Sequence, residues 1–166
     1  MIKKCPKCLT GSTKSQEIYI VLQNIRSLFN VGSIFRSADV FKIDKIFLCG
    51  YTGYPPRDQI SKTALGAQDW IPWEKARQTP TLLKKLKKQG FQIVALETGK
   101  KTKPLPKFKP KFPIALVLGN EVKGLTKNVL DIADEIVEIP MHGKKDSLNV
   151  SNAASVAMYD LNLKRK

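Results

Sequence analysis

At 166 residues, 42% of them hydrophobic, the chain can bury one core and is too short for several domains. No apolar run approaches the roughly 18 residues of a membrane span, and no secretory segment follows the N-terminus, so a cytoplasmic protein with no membrane partner is expected. Lysine and arginine number 29 against 14 acids, a net charge of +15 that favours a polyanion, nucleic acid above all, over a merely solvated lysine-rich surface. The three cysteines make no disulfide framework, Cys5 and Cys8 lack a second pair, and His142 is the only histidine, so no metal site is expected.

In chain order, residues 1–16 are polar and basic without periodicity and read as a flexible arm; residues 17–166 read as a single domain. Glu17 to Leu22 is a strand apolar enough to be buried on both faces. A helix follows, capped by Asn30, with Val31, Ile34, Phe35, Ala38 and Phe41 as its apolar stripe and Arg36 pointing away from it. Lys45 to Gly50 is a second strand, with Cys49 in the core. A Gly/Pro loop, a short helix from Ser61 to Gly66 and an irregular Trp70–Trp73 segment come next, the tryptophans read as packing residues.

Thr79 to Gly90 is the clearest helix, with Thr79 as cap and Gly90 as stop. Phe91 to Leu96 is a third strand. Lys100 to Phe112, with six lysines, three prolines and no acid, reads as an exposed mobile loop able to meet phosphates. Ile114 to Leu118 is a further strand, Thr126 caps a short helix running to Ala133, and Glu135 to Ile139 is a strand that Pro140 ends. After a polar loop holding Ser147 and Asn149, both capping residues, Val150, Ala153, Ala154, Ala157, Met158 and Leu161 mark the last helix. The small residues at its start await a close neighbour. Strands alternating with helices mean an α/β fold with a mostly parallel sheet flanked by helices.

The glycine signatures of dinucleotide folds and P-loop enzymes are absent. Three polar segments instead follow strands: Asn30 to Arg36, Gly119 to Gly124 and Met141 to Asn149. Strand ends of a parallel sheet lie along one edge, so the three can converge on an arginine, a carboxylate and a helix start. Such a site suits a phosphate-bearing substrate with a small polar cofactor.

The run Asn30-Val31-Gly32-Ser33-Ile34-Phe35-Arg36-Ser37-Ala38 resembles the first motif of the SpoU (TrmH-type) RNA 2′-O-ribose methyltransferases. Leu116-Val117-Leu118-Gly119-Asn120-Glu121-Val122-Lys123-Gly124-Leu125 is similar to their second. Ile139-Pro140-Met141 with Ser147-Leu148-Asn149-Val150-Ser151-Asn152-Ala153 is similar to their third. Motif order and spacing hold over residues 18–162.

The resemblance implies a C-terminal trefoil knot, against the general rarity of knots. It implies S-adenosyl-L-methionine as cofactor, with Leu96, Gly119, Ile139, Met141 and Leu148 lining its pocket, and a homodimer whose active site lies near the subunit interface. It assigns Arg36 the central catalytic role. Because an arginine stays protonated, clamping a phosphate or stabilising the developing alkoxide suits it better than acting as a base. Asn30 would orient Arg36 or the ribose, Glu121 would position the pocket, and Ser147 and Asn149 would hold substrate or cofactor.

The expected activity is methylation of a ribose 2′-hydroxyl in tRNA or rRNA. A basic RNA- or ribosome-binding protein that kept the fold without catalysis is the alternative. As a minimal catalytic domain, the chain is expected to meet RNA through Arg26, Lys101, Lys103, Lys107, Lys109 and the tail Lys164-Arg165-Lys166.

Overall fold

In a computed structural model, residues 16–99 and 101–165 are described. The arm with Cys5 and Cys8, together with Lys100 and Lys166, lies outside the described residues. Seven strands form one parallel sheet: β1 (Ile18–Gln23), β2 (Lys45–Cys49), β3 (Trp73–Ala76), β4 (Gln92–Leu96), β5 (Lys103–Pro104), β6 (Ile114–Leu118) and β7 (Glu135–Glu138), in the spatial order β3-β2-β1-β6-β4-β7-β5. The helices are α1 (Leu28–Val40), α2 (Asp58–Ala64), α3 (Thr79–Lys88), α4 (Lys127–Leu130) and α5 (Val150–Leu163).

The central strands are apolar throughout because both faces of the sheet are covered. Ile18, Ile20 and Leu22 of β1 join a core with α1, α2 and α5, while Val21 joins a second core with α3 and α4. Cys49 belongs to the second core. Burial pushes its thiol up to about 11, against a smaller lowering from a hydrogen bond with Thr79, so it is a packing group and not a nucleophile.

Several expected boundaries move. Ser27, not Asn30, caps α1, its hydroxyl accepting from the Asn30 N–H at 3.3 Å. The second helix starts at Asp58 and not Ser61, and its left-handed exit begins at Leu65 (φ +52) before Gly66. Trp73 opens the edge strand β3 rather than irregular chain. Gln78 is the N-cap residue of α3, and Thr79 is buried in its first turn. Thr126 precedes α4 without capping it by side chain. Its Oγ1 instead accepts from Gln23 Nε2 at 3.1 Å, and the helix stops at Leu130.

Among its described residues, the 101–112 segment is no free loop. It carries β5 and a 3-10 turn, Leu105–Lys107, and buries Leu105 and Phe108 in the first core. The tail is engaged too: Lys164 Nζ donates to the Leu105 carbonyl at 2.8 Å, and Arg165 pairs with Asp44 at 2.9 Å.

α1 and α5 lie side by side and run the same way. Asn30 meets Asn149 at their starts, and Ser37 meets Ser155 Oγ to Oγ at 2.6 Å about two turns on. The small residues of α5 thus have α1 as their close neighbour. The order β6-β4-β7 and the contact of α5 with the 105–107 turn are consistent with the expected knot.

Candidate active site at the carboxyl edge of the sheet

The loops after β1, β4, β6 and β7 meet at the edge where the parallel strands end, as their common direction requires. Glu121 ties them together. Its Oε2 accepts from the Arg26 N–H (3.0 Å), and its Oε1 accepts from the Ser27 N–H (3.1 Å) and from Asn30 Nδ2 (3.0 Å). Those N–H groups sit at the positive start of α1. Burial alone would raise the carboxyl, but these hydrogen bonds outweigh it and hold Glu121 below the usual carboxylate range. Asn30 passes the connection on, its Oδ1 accepting from Asn149 Nδ2 at 3.2 Å. Asn149 Oδ1 in turn accepts from the Ser151 N–H at 2.9 Å and caps α5.

The loop that carries Glu121 is folded back on itself. Asn120 and Gly124 exchange both backbone hydrogen bonds, and a side chain on Gly119 would collide with Gly124. Gly124 holds φ +64, and a Cβ there would strike the Glu97 carboxylate. Glu97 Oε2 accepts from the Leu125 N–H at 2.8 Å, joining the β4 loop to the β6 loop.

These loops enclose a cavity of about 330 Å³, within the usual size of small-molecule sites. Leu96, Gly119, Ile139, Met141, Leu148 and Ser147 all line it. So do Glu97, Glu121, Glu138 and Asp146, with no lysine or arginine among the described lining residues. A chain of net charge +15 therefore holds an acidic, apolar-walled cavity. Such a cavity repels phosphate and favours a cation with an apolar body.

Of the expected catalytic set, Asn30, Glu121 and Asn149 form one hydrogen-bonded chain, and Ser147 stands in the cavity wall without capping α5. Arg36 is set apart. It lies about 9 Å along α1 from Asn30, is exposed, and its guanidinium has no hydrogen-bond partner among the described residues. Asn30 is hydrogen-bonded to Glu121 and Asn149 and not to Arg36.

Of the expected RNA contacts, Arg26 stands at this edge, exposed. Lys101 and Lys103 are exposed as well, and Lys103 pairs with Glu135 at 2.7 Å. Lys107 and Lys109 line a groove with Gln16, just before β1, and Lys164, just after α5. That groove is at the opposite edge of the sheet.

Sequence reasoning assigns no role to Asn120, Asn24 or Glu97. Asn120 is buried and fully used: Oδ1 accepts from the N–H groups of Val122 (2.9 Å) and Lys123 (2.8 Å), and Nδ2 donates to the Asn24 carbonyl (2.9 Å) and the Tyr51 hydroxyl (2.9 Å). A polar residue two positions after a buried strand, within the second motif, is its signal.

The chain matches the model of the SpoU rRNA Methylase family over residues 17–159. It is 28% identical over 154 residues to the tRNA (guanosine(18)-2′-O)-methyltransferase of Aquifex aeolicus, covering 92% of this chain and 72% of that protein. It is 34% identical over 143 residues to an uncharacterized tRNA/rRNA methyltransferase of Mycobacterium bovis, covering 84% of this chain and 50% of the relative. The crystal structure of an AdoMet-bound rRNA methyltransferase from Sinorhizobium meliloti superimposes with a TM-score of 0.84 at 26% identity, covering 91% of this chain and 57% of that one. The chain thus spans between half and three quarters of the length of these relatives. With the parallel sheet, the folded-back Gly119–Gly124 loop and the Asn30–Glu121–Asn149 connection all in the matched region, the chain belongs to the SpoU rRNA Methylase family.

Proposed function

We propose that this chain transfers the methyl group of S-adenosyl-L-methionine to a ribose 2′-hydroxyl of tRNA or rRNA. The acidic cavity beside a basic surface carries the reading. Carboxylates and apolar side chains suit a sulfonium and an ammonium attached to a nucleoside, while phosphates stay outside with the lysines and arginines. The cavity walls Leu96, Ile139, Met141 and Leu148 would hold the nucleoside body, with Gly119 among the lining residues. The Sinorhizobium meliloti structure holds AdoMet.

When bound, the cofactor supplies an electrophilic methyl carbon. The 2′-oxygen would form the new O–C bond as the S–C bond breaks and the thioether is released, and its proton would pass to solvent water at the cavity mouth. Glu121, ionised and saturated with donors, acts by fixing the loop and the two helix starts, not as a base. Ser147 and Asn149 offer hydrogen bonds at the cavity mouth. Arg36, unpartnered among the described residues and permanently charged, is available to take a phosphate oxygen of the substrate and stabilise the developing alkoxide. Arg36 stands apart from the cavity, which fits a site completed by a second copy of the chain. Val156, Tyr159 and Leu163 form an exposed apolar row on α5 that suits this contact.

Mass spectrometry of ribose methylation in total tRNA and rRNA, with and without the gene, tests the activity. Loss of one 2′-O-methylated nucleotide is expected. An unchanged methylation pattern, with RNA binding intact, would favour the non-catalytic alternative.

A further inference from the structure

We propose that Tyr51 is a preformed stacking platform for an RNA nucleobase at the mouth of the site. Tyr51 follows β2 at the carboxyl edge and is 61% exposed, with no aromatic or cationic partner among the described residues. Packing gives no reason for a ring there, yet the residue is held at both ends. Its N–H donates to Asn24 Oδ1 at 3.3 Å, and its hydroxyl accepts from Asn120 Nδ2 at 2.9 Å.

The next residue is anchored as well. Thr52 is 2% exposed, its hydroxyl donating to the Leu22 carbonyl (3.1 Å) and accepting from the Ile25 N–H (3.0 Å). Trp70, another exposed ring with a tied polar atom, hydrogen-bonds Asp39 near the far end of α1 and is remote from the site.

A clamped, solvent-facing ring has already lost its rotamer freedom, so a base stacking on it loses only its own. Stacking asks for a flat π-face and no particular base, which suits an edge that must accept a nucleotide presented from a larger RNA. Asn120, which fixes the ring, is the chain neighbour of Glu121, and Glu121 fixes Arg26 and Asn30. The platform and the reaction site thus share one rigid loop. Exposed Arg26 stands on that loop's partner segment, available to the phosphate next to the stacked base.

The proposal rests on the reading that the substrate is RNA, and its test is independent of turnover. The native chain, Tyr51→Phe and Tyr51→Ala are titrated with poly(U), whose bases are unstacked, and with heparin, a polyanion without bases. Calorimetry with S-adenosylmethionine checks that each variant is folded. Tyr51→Ala is expected to lose about tenfold or more in poly(U) affinity, with heparin affinity unchanged and Tyr51→Phe, which keeps the ring but loses the clamp on its hydroxyl, falling between Tyr51→Ala and the native chain. In a Tyr51→Trp variant, poly(U) and not heparin is expected to quench the fluorescence added by the substitution.

Equal poly(U) affinities for the native chain and Tyr51→Ala overturn the platform even if methyl transfer is observed. So does added fluorescence in the Tyr51→Trp variant that saturating poly(U) leaves unchanged. A native chain that methylates no RNA but loses poly(U) affinity on Tyr51→Ala overturns the activity and leaves the platform standing.

Discussion

Glu121 organises this edge because one carboxylate answers three donors from a segment more than 90 positions earlier, at the start of α1. Glu121→Ala would leave the Arg26 and Ser27 N–H groups to water and release Asn30. About 1 kcal/mol of stability is the expected loss, since the site is exposed enough for solvent to replace part of the bonding. Cofactor affinity should fall further, because the loop is a cavity wall. Urea unfolding and calorimetry separate the two effects. The pH dependence has a definite sign. The folded carboxyl titrates below its unfolded value, so its contribution is complete above about pH 4.3 and is lost as pH falls through the lower folded value. Glu121→Gln should therefore flatten the acid limb of folding stability measured by urea unfolding, and an acid limb as steep as the native one would remove Glu121 from that role. Asn30 is not the cap that its residue type suggests, because both ends of its amide are taken by distant partners. Ser27 and Asn30 are both good capping residues three positions apart, and nothing local decides between them. Asn30 Nδ2 donates to Glu121 and its Oδ1, the atom a cap would use, accepts from Asn149, which leaves the cap to Ser27.

At the scale of elements, the parallel pairing of α1 and α5 depends on hydroxyl-sized side chains where they touch. Ser37 and Ser155 share a hydrogen bond at a half-buried contact, and whichever hydroxyl accepts it can donate its own proton to the carbonyl four residues back in its helix. Ser155→Leu should push the helices apart at a cost of about 1–3 kcal/mol. It should also weaken cofactor binding, because Asn149 at the start of α5 would lose register with Asn30. Thermal unfolding and cofactor titration of this variant check both outcomes. Periodicity reveals these two helices and the central strands because their buried faces are long and apolar. It fails for β3, where Trp73-Glu74-Lys75-Ala76 is a short edge strand with two charged residues exposed. It fails again at Leu105 and Phe108, isolated among lysines and prolines. Their burial depends on the core surface built by α1 and α5, not on any local repeat.

At the scale of the molecule, exposed cationic side chains stand at both edges of one sheet. The carboxyl edge holds the acidic cavity with Arg26 outside it, and Arg36 lies further along α1. The amino edge holds Lys107 and Lys109 beside Gln16. The strands between are about 17 Å long, a span that an intact tRNA bridges and a bound nucleotide does not. If RNA reaches the far edge, Lys107→Gln with Lys109→Gln should make the salt dependence of tRNA binding shallower by about two in log–log slope. Turnover at saturating tRNA should stay unchanged, because neither lysine is at the cavity. Binding measured between low and moderate salt supplies the slope, and a slope equal to the native one would confine the RNA footprint to the carboxyl edge. Lys103 belongs in neither group: its partner Glu135 offsets part of its charge, so a phosphate must compete for it. The local charge also explains how so basic a chain can admit a cationic small molecule: Glu97, Glu121, Glu138 and Asp146 line the cavity, and no lysine or arginine stands among its described lining residues.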